Sequence, residues 1–555
     1  MKSRIFTAIF AAVIIMSLTY CTTTSTSPLP EQAAPLDLKI TNGRLLDGSG
    51  SPWFRADLGI RGDQIVAIGD LRDVGAMKTI DAHNRFVAPG FIDLLGWSQH
   101  TVINDPHLEA KVRQGVTTEI AGEGHSPAPR LRERLTPDSP WETLGDYLDA
   151  VDRQGSSINF ALLLGSSNPR EMVIGDTNRA PTLEEMKQME AIVEQAMLDG
   201  AIGLSTSLIY VPAMYSTTEE VVALARVAAK HGGVYFSHIR DEGDRIDSAL
   251  DEAFLIGREA DIPVNIWHLK IGGRPNWGRM PAIIERIEKA RAEGLDVSAN
   301  VYPYAASGTA LSTLAPDWAM DGGYDDFRKR LNNPDDLARI KETFRAQFAR
   351  RGARGIYVAQ IFNRAQSQYE RKYLEEIAAM MGSTPEDALV TLFTANDLSP
   401  RVIYFSMFED DVRHALSQPW VSVGSDASSP TDSMRERNVS VHPRAYGTFP
   451  RVIGHYARDE KLFSIEEAIR KITAQAALRA NLRDRGLLRT GMKADIVVFD
   501  PDTIIDRSTF VDPHHFSIGI TDVIVNGVPV LQDGAMTGAL PGRTIRGLGY
   551  KPPVR

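Results

Sequence analysis

The 555-residue sequence contains one cysteine, Cys21, so the chain forms no internal disulfide bond and has no catalytic thiol in its folded body. It lacks a block of basic residues, and its net charge is −10, which argues against a nucleic-acid-binding protein. An apolar run at residues 5–18 is too short to span a bilayer comfortably. These absences leave an acidic globular protein, whose apolar content of 43% is ordinary for that class.

The first 35 residues differ from the rest of the chain. Lys2 and Arg4 precede the apolar run, which ends at Leu18-Thr-Tyr-Cys21 before a Thr/Ser-rich tract. This pattern resembles a bacterial lipoprotein signal over residues 1–21, with Cys21 as the lipidated first residue of the mature chain. Residues 22–35 then form a flexible tether. We expect an exported protein, periplasmic or membrane-anchored through Cys21; because Tyr20 replaces a small residue, a differently cleaved or uncleaved secretory signal is the alternative.

Both ends of the remaining chain show the sequence pattern of short strands. Residues 36–88 and 481–555 alternate apolar and polar positions between Gly, Asp and Asn turn residues. We expect the two ends to form one composite β-sandwich.

The middle of the chain, residues 89–480, alternates predicted strands with predicted helices. Eight such units favour an α/β fold with a (β/α)₈ TIM-like barrel. The predicted strands begin near residues 90, 116, 159, 201, 234, 264, 296 and 420. An insertion at about residues 308–400 separates the last two strands and is a candidate lid.

Two of these strands end on histidine. Val234-Tyr-Phe-Ser-His238 and Val264-Asn-Ile-Trp-His268 are apolar, β-rich runs separated by a helical crossover over residues 244–260. His238 and His268 should therefore lie side by side at the carboxyl edge of a parallel sheet. Two such imidazoles begin a metal site, although a single buried histidine is more often a satisfied core residue.

Several motifs stand out between residue 36 and the C-terminus: Val87-Ala-Pro-Gly-Phe-Ile-Asp93, Gln114-Gly-Val-Thr-Thr-Glu119, Trp267-His-Leu-Lys270, Gly424-Ser-Asp426 and His442-Pro-Arg-Ala-Tyr-Gly-Thr-Phe-Pro450. Together they give this part of the chain a resemblance to the amidohydrolase superfamily, and within it to the D-aminoacylase (N-acyl-D-amino-acid deacylase) branch. This resemblance implies a barrel with a composite β-sandwich and a zinc-activated water that attacks an amide.

The resemblance also implies roles for individual residues. His238 and His268 match metal ligands, and Asp426 matches the aspartate that acts as the base. Arg444 matches an arginine that holds the substrate carboxylate. Tyr302 matches a tyrosine near the scissile carbonyl, with Tyr304 as the competing position. Other readings are that Asp426 caps a following helix and that Arg444 binds a carbonyl or a structural acid.

Two departures from the family pattern change the expected metal site. Leu95 and Trp97 replace two strand-1 histidines and are expected to fill that space by packing. The cysteine usual after strand 2 is also missing; Glu123 falls closest to its place, and His125 is the alternative ligand. Strand 4 carries no lysine that would bridge two metals. We therefore expect one zinc ion, or a similar divalent metal, on Glu123, His238 and His268.

These features predict a zinc-dependent hydrolase that removes the acyl group from small N-acyl amino acids, of D configuration by resemblance. The alternatives are a related amidohydrolase acting on a dipeptide, cyclic amide or other N-acyl compound, and a catalytically inactive ligand-binding lipoprotein. The sequence predicts no nucleic-acid partner and does not define the oligomeric state.

Overall fold

The computed structural model of the chain describes residues 35–137 and 139–552. The predicted signal, the lipidation site at Cys21 and nearly all of the tether lie outside these residues. Within the described ranges, no helix combines the length and the apolar character needed to cross a membrane.

Strands from both ends of the chain form one mixed, nine-stranded sheet. The seam between the ends is the antiparallel pairing of Phe86–Pro89 with Ile496–Phe499, in which Val87 lies opposite Val498. The other strands are Leu36–Leu45, Phe54–Arg61, Gln64–Gly69, Ala76–Asp81, Ile520–Val525, Val528–Gln532 and Ala535–Met536.

This sheet encloses its own apolar core. Alternate residues of the first strand, including Leu38 and Ile40, are buried there with Ile60, Val87 and Ile496. The alternation in the sequence therefore identifies the inward face correctly. Strands from the two chain ends thus belong to a single hydrogen-bonded sheet.

Between these ends lies a TIM-barrel-like α/β domain of parallel strands and helices. Its strands, numbered 1 to 8 in chain order, are Phe91–Asp93, Val116–Ala121, Asn159–Leu162 with its continuation Leu164–Gly165, Gly203–Ser207, Val234–His238, Val264–Ile266, Val297–Val301 and Val421–Val423. Its helices are Thr101–Asn104, Glu109–Val112, Leu144–Gln154, Ser167–Val173, Leu183–Asp199, Thr218–Lys230, Ile246–Ala260, Met280–Ala292, Glu409–Ser417, Asp432–Glu436, Arg444–Arg451, Ile465–Ile472 and Ala474–Arg479, with a π-helix at Val452–Asp459.

Local sequence fixes the ends of these helices. The helix Leu183–Asp199 begins with a capping box between Thr182 and Glu185. It ends at Gly200, whose φ of 117° is readily available only to glycine.

The parallel strands form two hydrogen-bonded sheets, one holding strands 1 to 3 and the other continuing from strand 3 to strand 8. The two sheets share strand 3, which is interrupted only at Leu163. At the other junction, the Asp426 amide donates to the Leu95 carbonyl at 2.8 Å, and Gly96 and Ala427 form a parallel bridge. The first and last strands therefore meet just beyond their carboxyl ends.

The insertion is an α/β unit with its own core. Its four-stranded antiparallel sheet consists of Ser307–Ala310, Ile356–Gln360, Lys372–Tyr373 and Arg401–Tyr404. Helices Gly323–Arg330, Pro334–Arg351, Leu374–Met381 and Pro385–Thr394 pack with it. The sequence indicated the amphipathic helices of this insertion but not its sheet, whose outer strands extend slightly beyond residues 308–400.

Candidate active site

His238 and His268 lie side by side, as their positions on neighbouring strands predict. Their strands pair in parallel with Ser237 opposite Ile266, and the two imidazole centroids are 4.4 Å apart. His268 follows its strand by two residues. Its φ of 38° lies in the left-handed region, which non-glycine residues rarely adopt. Its amide donates to Asn300 Oδ1 at 2.7 Å, which fixes this turn.

Glu123 completes this pair from the turn after strand 2. Its Oε1 lies 2.8 Å from His238 Nδ1 and 3.0 Å from His268 Nε2. One potential ligand atom from each of the three residues lies within 4.8 Å of the others, and all three residues are buried. Within the described part of the chain, Glu123 Oε2 and His238 Nε2 are buried without a hydrogen-bond partner. A carboxylate and two imidazoles are a donor set that suits zinc.

The electrostatics of this cluster keep Glu123 ionised. Burial alone would raise the pKa of the Glu123 carboxyl, but hydrogen bonds from His238 and His268 hold that pKa well below its usual range. The pKa of His268 is raised from 6.5 to about 9: burial and the nearby Lys270 ammonium lower it, and Glu242 and Glu123 outweigh them. The two carboxylates thus favour the charged form of the His268 imidazole.

Glu242 and Lys270 form a second layer that the sequence analysis missed. Glu242 Oε1 lies 2.9 Å from His268 Nδ1, and its other oxygen lies 3.7 Å from His238 Nε2. Lys270 Nζ lies 2.5 Å from the same Glu242 Oε1. Glu242 thus faces both histidines from the side opposite Glu123. The sequence did contain a signal for this pair, because Glu242 and Lys270 follow His238 and His268 within four positions. A charged residue at such a position is not distinguishable by sequence from one exposed to solvent.

Asp426 is held by two side chains. Trp97 Nε1 donates to Asp426 Oδ1 at 3.1 Å, and Arg444 Nη1 lies 2.7 Å from Asp426 Oδ2. Leu95 is fully buried and packs as expected, whereas Trp97 also orients the carboxylate. Asp426 does not cap a helix, since the next helix begins at Asp432 with Thr431 as its cap.

Arg444 and Tyr302 connect Asp426 to the histidines. The Arg444 guanidinium carbon lies 4.7 Å from the Tyr302 ring centroid, and that ring is 6.5 Å from the His268 ring. Arg444 Nη2 donates to the Gly308 carbonyl at 3.1 Å, so Arg444 binds both a carbonyl and an acid. Its Nε is buried without a hydrogen-bond partner among the described atoms.

Of the two tyrosines, Tyr302 is the one in the site. Within the described residues, its hydroxyl makes only a long contact of 3.5 Å, with Met407 Sδ, and burial raises the pKa of that hydroxyl well above 10. The Tyr304 hydroxyl instead donates to Asp506 Oδ2 at 3.1 Å.

His125 does not join the cluster. Its side chain is 39% exposed, and its Nε2 lies 3.4 Å from a Glu171 carboxylate oxygen. Of the two alternatives that the sequence left open after strand 2, the structure brings Glu123 to the histidines.

A cavity of about 530 Å³ opens beside Glu242 and Lys270. Tyr210 and Met407 line it, together with residues of the insertion that include Thr309 and Thr313. Its charged lining residues are four carboxylates and three cations: Asp176, Asp241, Glu242, Asp317, Arg240, Arg245 and Lys270. The volume suits a small molecule.

Comparison with known proteins gives a consistent family. A model described as "Amidohydrolase family" matches residues 78–531. The D-aminoacylase of Alcaligenes xylosoxydans xylosoxydans is 40% identical over 523 residues, which cover 92% of this chain and 98% of that protein.

Two solved structures are similar over nearly the whole chain. A D-aminoacylase structure, described in terms of a binuclear centre with one-metal activation and second-metal attenuation, matches with a TM-score of 0.79 at 35% identity. N-acyl-D-glutamate deacylase from Bordetella bronchiseptica, complexed with zinc and a phosphonate mimic of the tetrahedral intermediate, matches with a TM-score of 0.79 at 33% identity. Each match covers 92% of this chain and 100% of the other.

Proposed function

Because the chain belongs to the amidohydrolase family, we propose that it is a metal-dependent enzyme that hydrolyses N-acyl-D-amino acids. The products are a carboxylate and a free amino acid. The observation that carries this proposal is the buried convergence of Glu123, His238 and His268. The names of the relatives support the substrate class and its D configuration.

We propose that Glu123, His238 and His268 hold one zinc ion. When bound, zinc supplies a Lewis acid and lowers the pKa of water toward about 7. A single ion is favoured because Leu95 and Trp97 offer no ligand atom, and because Leu95 is buried in packing. Glu242 Oε1 and Lys270 Nζ lie 2.9 Å and 2.8 Å from the remaining ring nitrogen of His268, Nδ1, and so hold the ring in its orientation.

Asp426 is the proposed general base and acid. Its carboxylate takes a proton from the attacking water and delivers it to the leaving amine nitrogen. Trp97 and Arg444 each hold one of its oxygens, so the carboxylate enters the reaction in a fixed orientation.

Arg444 and Tyr302 are the proposed substrate-binding groups. The unpartnered, buried Nε of Arg444 is a donor available to a substrate carboxylate. The Tyr302 hydroxyl stays protonated at neutral pH, because burial raises its pKa, and it can donate to the oxygen that becomes negative as the amide is attacked.

The test is zinc content and turnover of purified protein and its Glu123→Gln, His268→Ala and Asp426→Asn variants. We expect the first two to lose zinc and activity together, and Asp426→Asn to keep zinc and lose activity. The matched control is His231→Ala, a histidine at the end of the outer helix Thr218–Lys230. Full activity after loss of His268 would overturn the proposal.

A substrate panel separates the remaining candidates. It contains N-acetyl-D- and N-acetyl-L-amino acids, dipeptides and hydantoins, which are assayed with the same zinc-loaded protein. Hydrolysis confined to dipeptides or hydantoins would assign another amidohydrolase activity. Ligand binding by metal-free protein without turnover of any compound would identify an inactive binding protein.

We further propose that residues 89–480 form one (β/α)₈ barrel between sandwich segments 36–88 and 481–555. The contact between Asp426 and Leu95 supports this grouping. We also propose export, with Cys21 as the lipid anchor, because the apolar run at residues 5–18 precedes it. Incorporation of labelled palmitate, and its loss in Cys21→Ser, would test the anchor.

A further inference from the structure

A fully buried lysine lies beneath the loop that carries Asp426. Lys111 is 0% exposed, and its Nζ lies 2.6 Å from Asp93 Oδ2 and 3.0 Å from Glu119 Oε2. These two carboxylates are also fully buried. The cluster joins strand 1, strand 2 and the short helix Glu109–Val112 at the junction where strand 8 ends.

The cluster forms hydrogen bonds to the chain on both sides of Asp426. On the N-terminal side, the Ser425 amide donates to Asp93 Oδ1 at 2.8 Å, and the Ser425 hydroxyl donates to Asp93 Oδ2 at 2.6 Å. On the C-terminal side, Lys111 Nζ donates to the Ala427 carbonyl at 2.7 Å. Lys111 also donates to the Ser425 hydroxyl at 2.8 Å.

The segment held this way has an unfavourable backbone conformation. Asp426 has a φ of 50°, in the left-handed region that non-glycine residues rarely occupy. Such a conformation persists only where its surroundings impose it. The contacts to residues 425 and 427 impose it here, and they direct the Asp426 side chain towards Trp97 and Arg444.

We propose that Lys111 is a positioning residue for Asp426. Its ammonium binds the two buried carboxylates to the strand-8 loop and so fixes the direction of the Asp426 carboxylate. It does not reach the substrate, because Nζ is enclosed by Asp93, Glu119, Ser425 and Ala427. This inference rests on the proposed role of Asp426 as general base.

The first experiment replaces the whole ionic cluster by neutral residues of similar size. Removing only one partner would leave a buried charge unpaired, so Lys111→Met is combined with Asp93→Asn and Glu119→Gln. We expect kcat to fall roughly 10- to 100-fold, as for other small misplacements of a catalytic group. KM and zinc content should stay within about threefold of wild type, since Lys111 contacts neither the proposed zinc ligands Glu123, His238 and His268 nor the cavity.

The matched control is another buried ion pair. Arg170 Nη1 lies 2.6 Å from Glu220 Oε2, with side chains 0% and 2% exposed. The double variant Arg170→Met/Glu220→Gln removes a pair of equal burial that does not contact the strand-8 loop. We expect its kcat to stay near the wild-type value at a temperature where both proteins are folded; an equal loss of kcat in both variants would overturn the proposal.

A double-mutant cycle with Asp426→Asn makes the test specific. If Lys111 acts through Asp426, the cluster variant should cause no further loss of kcat in the Asp426→Asn background. Multiplicative losses would refute the positioning role while leaving the proposed function intact. An Asp426→Asn variant with wild-type kcat would instead refute the proposed role of Asp426.

A milder variant covers the case in which the triple variant does not fold. Ser425→Ala removes one hydroxyl that links Lys111 and Asp93 to the loop. We expect a roughly 3- to 10-fold lower kcat with unchanged zinc content and KM, again absent in the Asp426→Asn background. Wild-type kcat in this variant would contradict the proposal.

Discussion

The affinity of the cluster for zinc should depend steeply on pH, because a proton must leave before the metal binds. The pKa of His268 is raised to about 9, and zinc needs the lone pair of its Nε2. Below that pKa, each pH unit changes the zinc affinity about tenfold. Between pH 7 and pH 9 the dissociation constant should therefore fall roughly 50-fold, which corresponds to about 2.3 kcal/mol.

The assay is competition of metal-free protein with a chromophoric chelator at pH 7, 8, 9 and 10. A plot of the logarithm of the zinc dissociation constant against pH should flatten above pH 9. The stability of the metal-free fold should change with pH in the opposite direction to the zinc affinity. Because the folded protein raises the pKa of His268, protonation of this histidine contributes stability that is complete below pH 6.5 and is lost as the pH rises through about 9.

Two variants separate His268 from a general effect of pH. Glu242→Gln removes a carboxylate 2.9 Å from His268 Nδ1, so the bend in the curve should move to lower pH. Glu194→Gln changes an outer carboxylate, 43% exposed, that contacts His231, and it should leave the curve unchanged. A zinc affinity that is constant between pH 7 and pH 9 would refute the assigned protonation of the cluster.

Three further outcomes follow from the site. Trp97→Phe removes one hydrogen bond to the Asp426 carboxylate, so kcat should fall about tenfold, or about 1.4 kcal/mol, at unchanged zinc content; steady-state kinetics would contradict this if kcat were unchanged. Arg444→Lys loses the planar fork, so we expect KM for N-acetyl-D-leucine to rise at least about tenfold; an unchanged KM would remove Arg444 from substrate binding. The cavity lining holds four carboxylates against three cations, so kcat/KM should be roughly tenfold lower for N-acetyl-D-glutamate than for N-acetyl-D-leucine. The difference between the two substrates should narrow as salt is added. A preference for the acidic substrate would contradict this prediction.

The histidine pair was predictable because it depends only on strand position. Parallel strands bring their carboxyl ends to one edge; His238 ends one strand, and His268 follows the end of the neighbouring strand by two residues. Glu123 was predictable only through the resemblance to the family, since the turn that holds it has no periodicity. The structure then separates Glu123 from His125 by direction, a property that two residues so close in sequence do not reveal.

The features that the sequence did not reveal all depend on contacts between distant segments. The sheet of the insertion has strands as short as Lys372–Tyr373, whose pairing with Ile356–Gln360 leaves no pattern in the sequence. The hydrogen bond between Trp97 and Asp426 joins the first and last strands. The single nine-stranded sheet likewise depends on the pairing of Phe86–Pro89 with Ile496–Phe499, which local alternation does not specify.

That late pairing has a consequence for biosynthesis. One edge of Phe86–Pro89 lacks its partner until almost the whole chain has been made, because that partner is Ile496–Phe499. A growing chain therefore keeps an unsatisfied strand edge that favours aggregation or chaperone binding. Nonsense mutations that remove Ile496–Phe499 should consequently yield insoluble or degraded protein, even when every residue of the proposed metal site has already been translated.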